Sequence, residues 1–148
     1  MQRWHQLFLA LPLNRADGDK ALMEATLQLP SNIKQVSAIR LVKHIAVGFG
    51  NVAHVALNIK EIASLETFSN IPRYNNAFHV LQHRPNSTSA NAIGSDVFAD
   101  RDGVHTTHLN PPRNLATFTV QLSDVSGNLV NSDQATAMLW FEIYAEST

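Results

Sequence analysis

The sequence contains seven histidines in 148 residues. Because imidazole is the commonest metal ligand in proteins, these histidines are the most obvious candidates for a metal site. A metal site on one strand needs two histidines separated by one residue, so that both side chains point to the same face. The sequence has no such pair, since His105 and His108 are three apart and would point to opposite faces of a strand. His79 and His83 share a face but lie roughly 13 Å apart at about 3.3 Å per residue. The spacing therefore predicts that the chain binds no metal.

The acidic and hydroxyl residues form no recognisable active site. Asp96, Asp100 and Asp102 precede Gly103, but they lack the D-x-[DN]-x-[DN]-G pattern and the distant glutamate of a calcium loop. Ser95 does not stand in a G-x-S-x-G nucleophile elbow, and the sequence has no glycine-rich phosphate loop. A Ser-His-Asp set follows no fixed order along a chain, and nothing in the sequence selects one. We therefore predict a protein that is not an enzyme and holds no cofactor.

Two further motifs could carry or bind a sugar. The tripeptide Asn-Ser-Thr that begins at Asn86 matches the N-glycosylation pattern, but without a secretion signal a chance match is the simpler interpretation. Trp140, Phe141 and Tyr144 could form a sugar-stacking platform. Because they lie on the most strand-like segment, core or interface packing explains them better. Trp140 and Tyr144 are therefore our candidate interface residues.

Composition narrows the class of protein. Hydrophobic residues make up 45% of the chain, which is typical of a folded domain, and charged residues only 16%. Eleven basic and twelve acidic residues give a net charge of -1, so the chain lacks the basic character of a nucleic-acid-binding protein. The absence of cysteine excludes disulfides, thiolate metal sites and cysteine nucleophiles. The apolar run at residues 7–11 is too short for a membrane span and predicts a first strand or an N-terminal arm.

Apolar and polar residues alternate with period two in several segments, which is the pattern of half-buried strands. Residues 36–47 are apolar on both parities, as expected for a strand covered on both sides or bent by a bulge. Residues 64–76 and 84–114 are rich in Ser, Asn, Pro, Asp and Gly and predict long loops that join short strands. The alternating segments are Met23–Leu29, Val55–Ile59, Ala116–Leu122 and Ala137–Tyr144.

About eight strands, no convincing long helix and no internal repeat predict a single all-β domain over residues 1–148. Eight short strands with long crossing loops favour a single jelly-roll β-sandwich. An immunoglobulin-like sandwich is the nearest alternative, but its buried disulfide is missing. The apolar parity of each strand predicts a core between the sheets made of Leu57, Ile59, Phe118, Val120, Phe141 and Ile143.

Four segments carry a resemblance to a known family: Val55–Ile62, Asn76–Leu81, Phe118–Leu129 and Leu139–Tyr144. In that order they resemble the single jelly-roll penton and minor capsid proteins of icosahedral double-stranded DNA viruses, with the virophage and polinton-like groups as the nearest comparison. In that family a strand ending in a Leu-x-Asp-x-x-Gly-Asn turn leads into a final aromatic-rich strand, as residues 118–144 do here. Residues 84–114 have no counterpart in the family pattern.

The resemblance implies a non-enzymatic structural protein of the virion, a penton or minor capsid component. Its expected partners are copies of itself, with a pentamer favoured, and other capsid proteins, without sequence-specific nucleic-acid binding. Copies around a fivefold axis present heterologous interfaces that close into a ring. Low charge with many amide and hydroxyl side chains suits extensive polar contacts around apolar interface centres.

We expect assembly through sheet edges and loops, because an uncovered edge is normally blunted by charges. The strand from Leu115 to Ser123 carries no charge, and the strand from Ala137 to Ala145 carries only Glu142. We therefore predict an interface at this end of the molecule, with the 84–114 loops reaching toward a neighbour.

Two alternatives belong to other classes. A carbohydrate-binding β-sandwich module would show an exposed aromatic pair beside a polar groove. A cupin-like or hydrolytic enzyme would bring three histidine or acidic side chains together in one pocket.

Overall fold

The computed structural model describes residues 1–12, 21–47, 54–62, 74, 77–82, 95–99, 106–124, 131–132 and 136–148. These residues form strands and connecting turns, and no helix among them is long and apolar enough to cross a membrane. The strands in chain order are β1 (Gln2–Leu11), β2 (Ala21–Leu22), β3 (Glu24–Gln28), β4 (Ile33–Val47), β5 (His54–Ile59), β6 (His79–Gln82), β7 (Ser95–Ala99), β8 (Thr106–Arg113), β9 (Thr117–Ser123), β10 (Asn131–Ser132) and β11 (Thr136–Ser147).

The strands form two main antiparallel sheets. One has the order β1-β11-β4-β7, with β8 also paired to β4, and the other has the order β3-β9-β5-β6. A small third sheet pairs β2 with β10. The pairings are nested along the chain, because β1 pairs with β11, β3 with β9, β4 with β8, and β5 with β6. This nesting is that of one long hairpin wrapped into two sheets, which confirms the predicted jelly-roll sandwich.

The core lies between the two main sheets. Every side chain predicted to face it is at most 2% exposed, so the period-two interpretation of these strands is confirmed. Phe141 occupies its centre, with its ring centroid 5.0 Å from that of Phe118 on the opposite sheet and 5.8 Å from that of Phe78. Both contacts are edge-to-face, the arrangement that aromatic rings favour.

The long strand β4 has two irregularities in its pairing with β11, and a bulge was one of the two interpretations that its mixed parity allowed. Against β11, Trp140 pairs with Lys43 and Phe141 with Leu41, which leaves Val42 as an extra residue. The second irregularity lies near Gln35, the residue with a positive φ of 55°. The backbone N–H of Gln35 donates a hydrogen bond to Asn114 Oδ1 at 2.8 Å, which supports this left-handed conformation of the backbone.

The prediction of a loop over residues 84–114 is wrong where β8 stands. Its sequence contains Pro111 and Pro112, which lack the amide hydrogen of a regular ladder. The ladder with β4 jumps from the pair Ala38 and His108 to the pair Val36 and Arg113, so both prolines lie where the pairing is interrupted. Prolines are tolerated at such interruptions, which explains how a proline-containing segment forms a strand.

The expectation that the two strands with few charges form sheet edges is also wrong. The strand β9 lies between β3 and β5, and β11 lies between β1 and β4. Central strands have ladder partners on both sides, and they need no charges to prevent pairing with another molecule. Their low charge therefore reflects their central position, while β1 and β3 are terminal strands in the sheet orders.

Candidate interaction face

The outer surface of the five-stranded sheet carries large aromatic and aliphatic side chains, several of them opposite one another across neighbouring strands. The inward positions of β11 are buried, while the alternate positions from Thr136 to Glu146 are exposed or partly exposed. We call the resulting surface the aromatic face and define it by Trp4, Gln6, Phe8, Arg40, Lys43, Met138, Trp140, Glu142 and Tyr144.

Two aromatic pairs bridge β1 and β11 on this face. The register places Trp4 opposite Tyr144, with ring centroids 5.2 Å apart and planes tilted by 52°. It also places Phe8 opposite Trp140, at 4.6 Å and 63°. Cross-strand aromatic pairs stabilise a sheet beyond the area they bury, so these contacts fix the pairing of the first and last strands.

Arg40 connects one aromatic pair to the only carboxylate of the defined face. Its guanidinium carbon lies 3.9 Å from the Trp4 ring centroid, which is a close cation–π contact. Its Nη2 also lies 2.9 Å from Glu142 Oε1, and its Nε donates to the same oxygen at 3.1 Å. The charge of Arg40 is therefore balanced by Glu142.

Lys43 reaches this face because of the extra residue at Val42. In a regular strand Lys43 and Arg40, three apart, would point to opposite faces. The bulge places Lys43 opposite Trp140, with Nζ 5.2 Å from the ring centroid, and turns His44 into the core. The interactions found for Lys43 give it this aromatic ring but no carboxylate among the described residues. Counting Arg40, Lys43 and Glu142, the defined face has a net charge of +1. Beyond it on β11, Glu146 is opposite Lys34 in the register, so these two residues add no net charge.

A depression of about 320 Å³ opens beside the bulge. Its lining combines apolar and polar residues: Gln6, Val42, Lys43, Trp140, Phe141 and Glu142. The register shift interrupts the regular pairing of β4 with β11 at this point. Bulges of this kind are commonly found next to functional sites. The depression therefore lies between the ammonium group of Lys43 and the indole ring of Trp140.

The aromatic face is also exposed. Phe8 keeps 49% and Met138 45% of their surface accessible, although both are large hydrophobic residues. The outer surface of the other sheet differs from it. Over β3 and β9 the contacts are polar, Thr26 with Thr119 and Gln121 with Glu24. Over β5 and β6 the outward Ala56 and Val80 are packed against Tyr74 and Ala77. The large hydrophobic side chains that stay exposed in the described parts of the strands are therefore on the aromatic face, and such side chains are typical of interface centres.

The structure places both predicted interface residues, Trp140 and Tyr144, on this face. Their partners Trp4 and Phe8 were missed by the sequence analysis, as were Arg40 and Lys43. A signal for the first two existed, because Trp4 and Phe8 have the same four-residue spacing as Trp140 and Tyr144. Antiparallel strands with matched spacing pair such residues one to one. No signal marked Lys43, whose orientation depends on the bulge.

Where the structure describes the other candidate residues, it does not bring them together. His79 lies on β6 and His108 on β8, in different sheets. Within the described ranges no three histidine, aspartate or glutamate side chains are grouped to hold a metal ion. Asp96 and Ser95 belong to β7, whose side chains are not described. The remaining candidates lie outside the described residues: His83, Asn86, Asp100, Asp102, Gly103 and His105.

Comparison with known proteins finds little. No family model matches the sequence, and no curated protein matches it. A solved structure described as "nora virus structure" aligns with 97% of this chain at 8% identity and a TM-score of 0.22. The alignment spans 60% of the length of that chain, and superposition at this score is too loose to establish a shared fold.

Proposed function

We propose that this chain is a non-enzymatic structural protein of a viral capsid, located in the virion and acting through repeated protein–protein contacts. The observation that carries the proposal is the aromatic face. The jelly-roll fold is found in viral capsid proteins, lectins and cupins, and it sets the range of candidate functions without choosing among them.

The composition of the aromatic face supports a protein interface. Tryptophan, tyrosine and arginine dominate the residues that contribute most to protein–protein binding, and this face contains two, one and one of them. Its rings are already held in place by cross-strand contacts, so little side-chain freedom remains to be lost on binding. Burial of Phe8 and Met138 would remove the large exposed hydrophobic side chains found in the described parts of the strands.

The terminal strands of the sheets supply a second means of assembly. Among the described strands β1 pairs only with β11, and β3 only with β9. Such edges form ladders with neighbouring molecules unless they are covered. Edge contacts between copies suit a closed ring, and the family resemblance favours a pentamer at a fivefold axis, as a penton or minor capsid component.

A carbohydrate-binding module is the second candidate, and the depression beside Trp140 favours it. An aromatic ring flanked by Gln6, Lys43 and Glu142 is the kind of groove that a sugar-binding sandwich would show. The rings themselves suit this function less well. Arg40 covers one surface of Trp4, and Phe8 meets Trp140 in an edge-on contact, so neither indole is a bare stacking platform.

Light scattering coupled to size-exclusion chromatography tests the proposal on the purified chain over a wide concentration range. We expect the mass to rise from 16.3 kDa to about 82 kDa, five copies, as concentration increases. A glycan array run on the same sample separates the two candidates. A mass of 16.3 kDa at every concentration would reject the capsid proposal, and glycan binding by that monomer would establish the carbohydrate-binding module in its place.

A further inference from the structure

We infer that the aromatic face binds a short, extended, acidic segment of a different protein rather than a second copy of this chain. The inference rests on the proposed function, because it names the class of partner for that face. It is carried by the charges of the face, its depression and its dimensions.

The charges disfavour a second copy. Glu142 is engaged by Arg40 at 2.9 Å, while Lys43 contacts the Trp140 ring and brings the face to a net charge of +1. Two identical faces stacked on each other would bring like charges together, and the one carboxylate on each would already be paired. Lys43 has no carboxylate partner among the described residues, and burial of its charge without a counter-ion is costly. A partner that supplies a carboxylate at this point resolves the imbalance.

The depression indicates where that carboxylate binds. Lys43 and Gln6 line it and offer an ammonium group and a side-chain amide, both of which donate hydrogen bonds. Glu142 also lines it, and its carboxylate is neutralised by Arg40 at 2.9 Å. Its volume of about 320 Å³ is at the lower limit of ligand pockets, which suits one or two side chains of a peptide. The nearby rings of Phe8 and Trp140 offer apolar contact for a neighbouring residue.

The dimensions indicate the length of the segment. The face follows β1 from Trp4 to Ala10, and the paired residues on β11 extend from Tyr144 to Met138. The seven residues from Trp4 to Ala10 span six steps, or about 20 Å, so an extended segment of about seven residues would cover the face. We therefore expect an acidic residue over Lys43, with aliphatic or aromatic residues over Phe8 and Met138.

Selection from a displayed library of random twelve-residue peptides tests the inference on the full chain. We expect the selected peptides to combine Asp or Glu with Leu, Ile or Phe. Fluorescence anisotropy with one selected peptide then compares the wild type with Lys43→Glu and with Lys60→Glu. Lys60 is exposed at the end of β5 on the other sheet, so its substitution makes the same change in net charge away from the face.

We expect Lys43→Glu to weaken binding on the order of tenfold or more and Lys60→Glu to leave it within about twofold. Thermal unfolding of each variant verifies that it folds. Three results would overturn the inference: no enriched peptide, enriched peptides without acidic residues, or equal losses in the two variants. Failure here is separate from failure of the capsid proposal, because binding is measured on the chain whether or not it forms rings. If Phe8→Ser abolished the concentration-dependent rise in mass, the face would join copies of the chain and the inference would be wrong.

Discussion

Arg40 and Lys43 lie on the same outer face of the five-stranded sheet although an odd number of positions separates them. Arg40 pairs with Glu142 in the register, and Lys43 pairs with Trp140, two residues away on β11. Val42 is the extra residue that makes this possible. The cation that gives the aromatic face its net charge is therefore placed by the backbone of β4 and not by the alternation of its sequence.

Deletion of Val42 tests this relationship. Without it, Leu41 and Lys43 become neighbours in a regular ladder, and the existing pairs with Phe141 and Trp140 are retained. We expect the variant to fold, with a change in unfolding free energy below about 2 kcal/mol. Denaturant unfolding followed by tryptophan fluorescence measures both properties.

Deletion of Thr119 is the matched control. It lies in β9, whose pairings with β3 and β5 have no bulge, so the deletion shifts the following core residues to the wrong face. We expect no cooperative unfolding transition from this variant. If the Val42 deletion behaved in the same way, the bulge would be required for folding and not only for the placement of Lys43.

Truncation of the central aromatic residues should be severe. Phe118 and Phe141 are fully buried, and their ring centroids lie 5.0 Å apart between the two sheets. We expect Phe118→Ala or Phe141→Ala to lower the free energy of unfolding by about 3–5 kcal/mol, because each leaves a large void. Urea denaturation gives the value. A loss below about 1 kcal/mol at both sites would show that these rings do not form the centre of the core.

Most of the fold could be predicted from residue alternation, because burial of one strand face depends on local spacing. The six predicted core residues and the jelly-roll class follow from that local pattern. Strand order could not be predicted in the same way. The central positions of β9 and β11 depend on contacts between distant segments, such as β1 with β11, and the low charge of β11 was consistent with either an edge or a centre.

The candidate site was predictable in part for a similar reason. Trp140 and Tyr144 lie on a regular strand, so their parity gave their orientation. Trp4 and Phe8 join them through the pairing of β1 with β11. Their matched four-residue spacing was compatible with this pairing, but no local pattern specifies which two strands pair. Prediction of the orientation of Lys43 would have required knowledge of where the bulge lies. Prediction of β8 would have required knowledge that its ladder with β4 is interrupted at the two prolines.

Glu61 should stabilise the sandwich by holding β5 to β9. Its two carboxylate oxygens accept hydrogen bonds from the Thr119 amide at 2.6 Å and from the Thr117 hydroxyl at 3.0 Å. Hydrogen bonds to a charged group are stronger than neutral ones, so we expect Glu61→Ala to lower the free energy of unfolding by about 2 kcal/mol. Chemical denaturation at neutral pH measures the loss.

Two comparisons make the Glu61 result specific. Glu61→Gln keeps one carbonyl acceptor, and we expect a loss about half that of Glu61→Ala. Glu24 accepts a single side-chain hydrogen bond from Gln121 at 2.9 Å, so Glu24→Ala should cost less than about 1 kcal/mol. Equal losses for the two alanine variants would mean that the Glu61 contacts add no special stability.

Chelation should leave the protein unchanged, as the histidine spacing predicts. Treatment with excess EDTA, followed by dialysis, should not shift the melting temperature. Elemental analysis of the untreated protein should show no stoichiometric zinc, iron or manganese. Stoichiometric metal together with loss of folding on chelation would contradict the prediction and would point to residues beyond the described ranges.

Tyr74 should make the protein sensitive to alkaline pH. Its side chain is 3% exposed and packs with Ala56, Ala77 and Val80. Burial raises the pKa of its phenol above the ordinary value of 10.0, and the negative charge of Asp124 raises that pKa further. Above pH 10 the unfolded chain therefore loses this proton while the folded chain still holds it.

The sign of the effect follows from that difference in bound protons. Folding stability from this group is fully present below pH 10 and declines as pH rises toward the higher pKa of the folded state, by about 1.4 kcal/mol for each pH unit between the two values. Tyr74→Phe has no proton to lose, so its free energy of unfolding should fall less steeply above pH 10. Urea denaturation of both proteins at pH 8, 10 and 11 measures the two slopes, and the titration of all other groups is common to both. Parallel slopes would show that the phenol ionises equally easily in the folded and unfolded chains, contrary to its burial against Ala56.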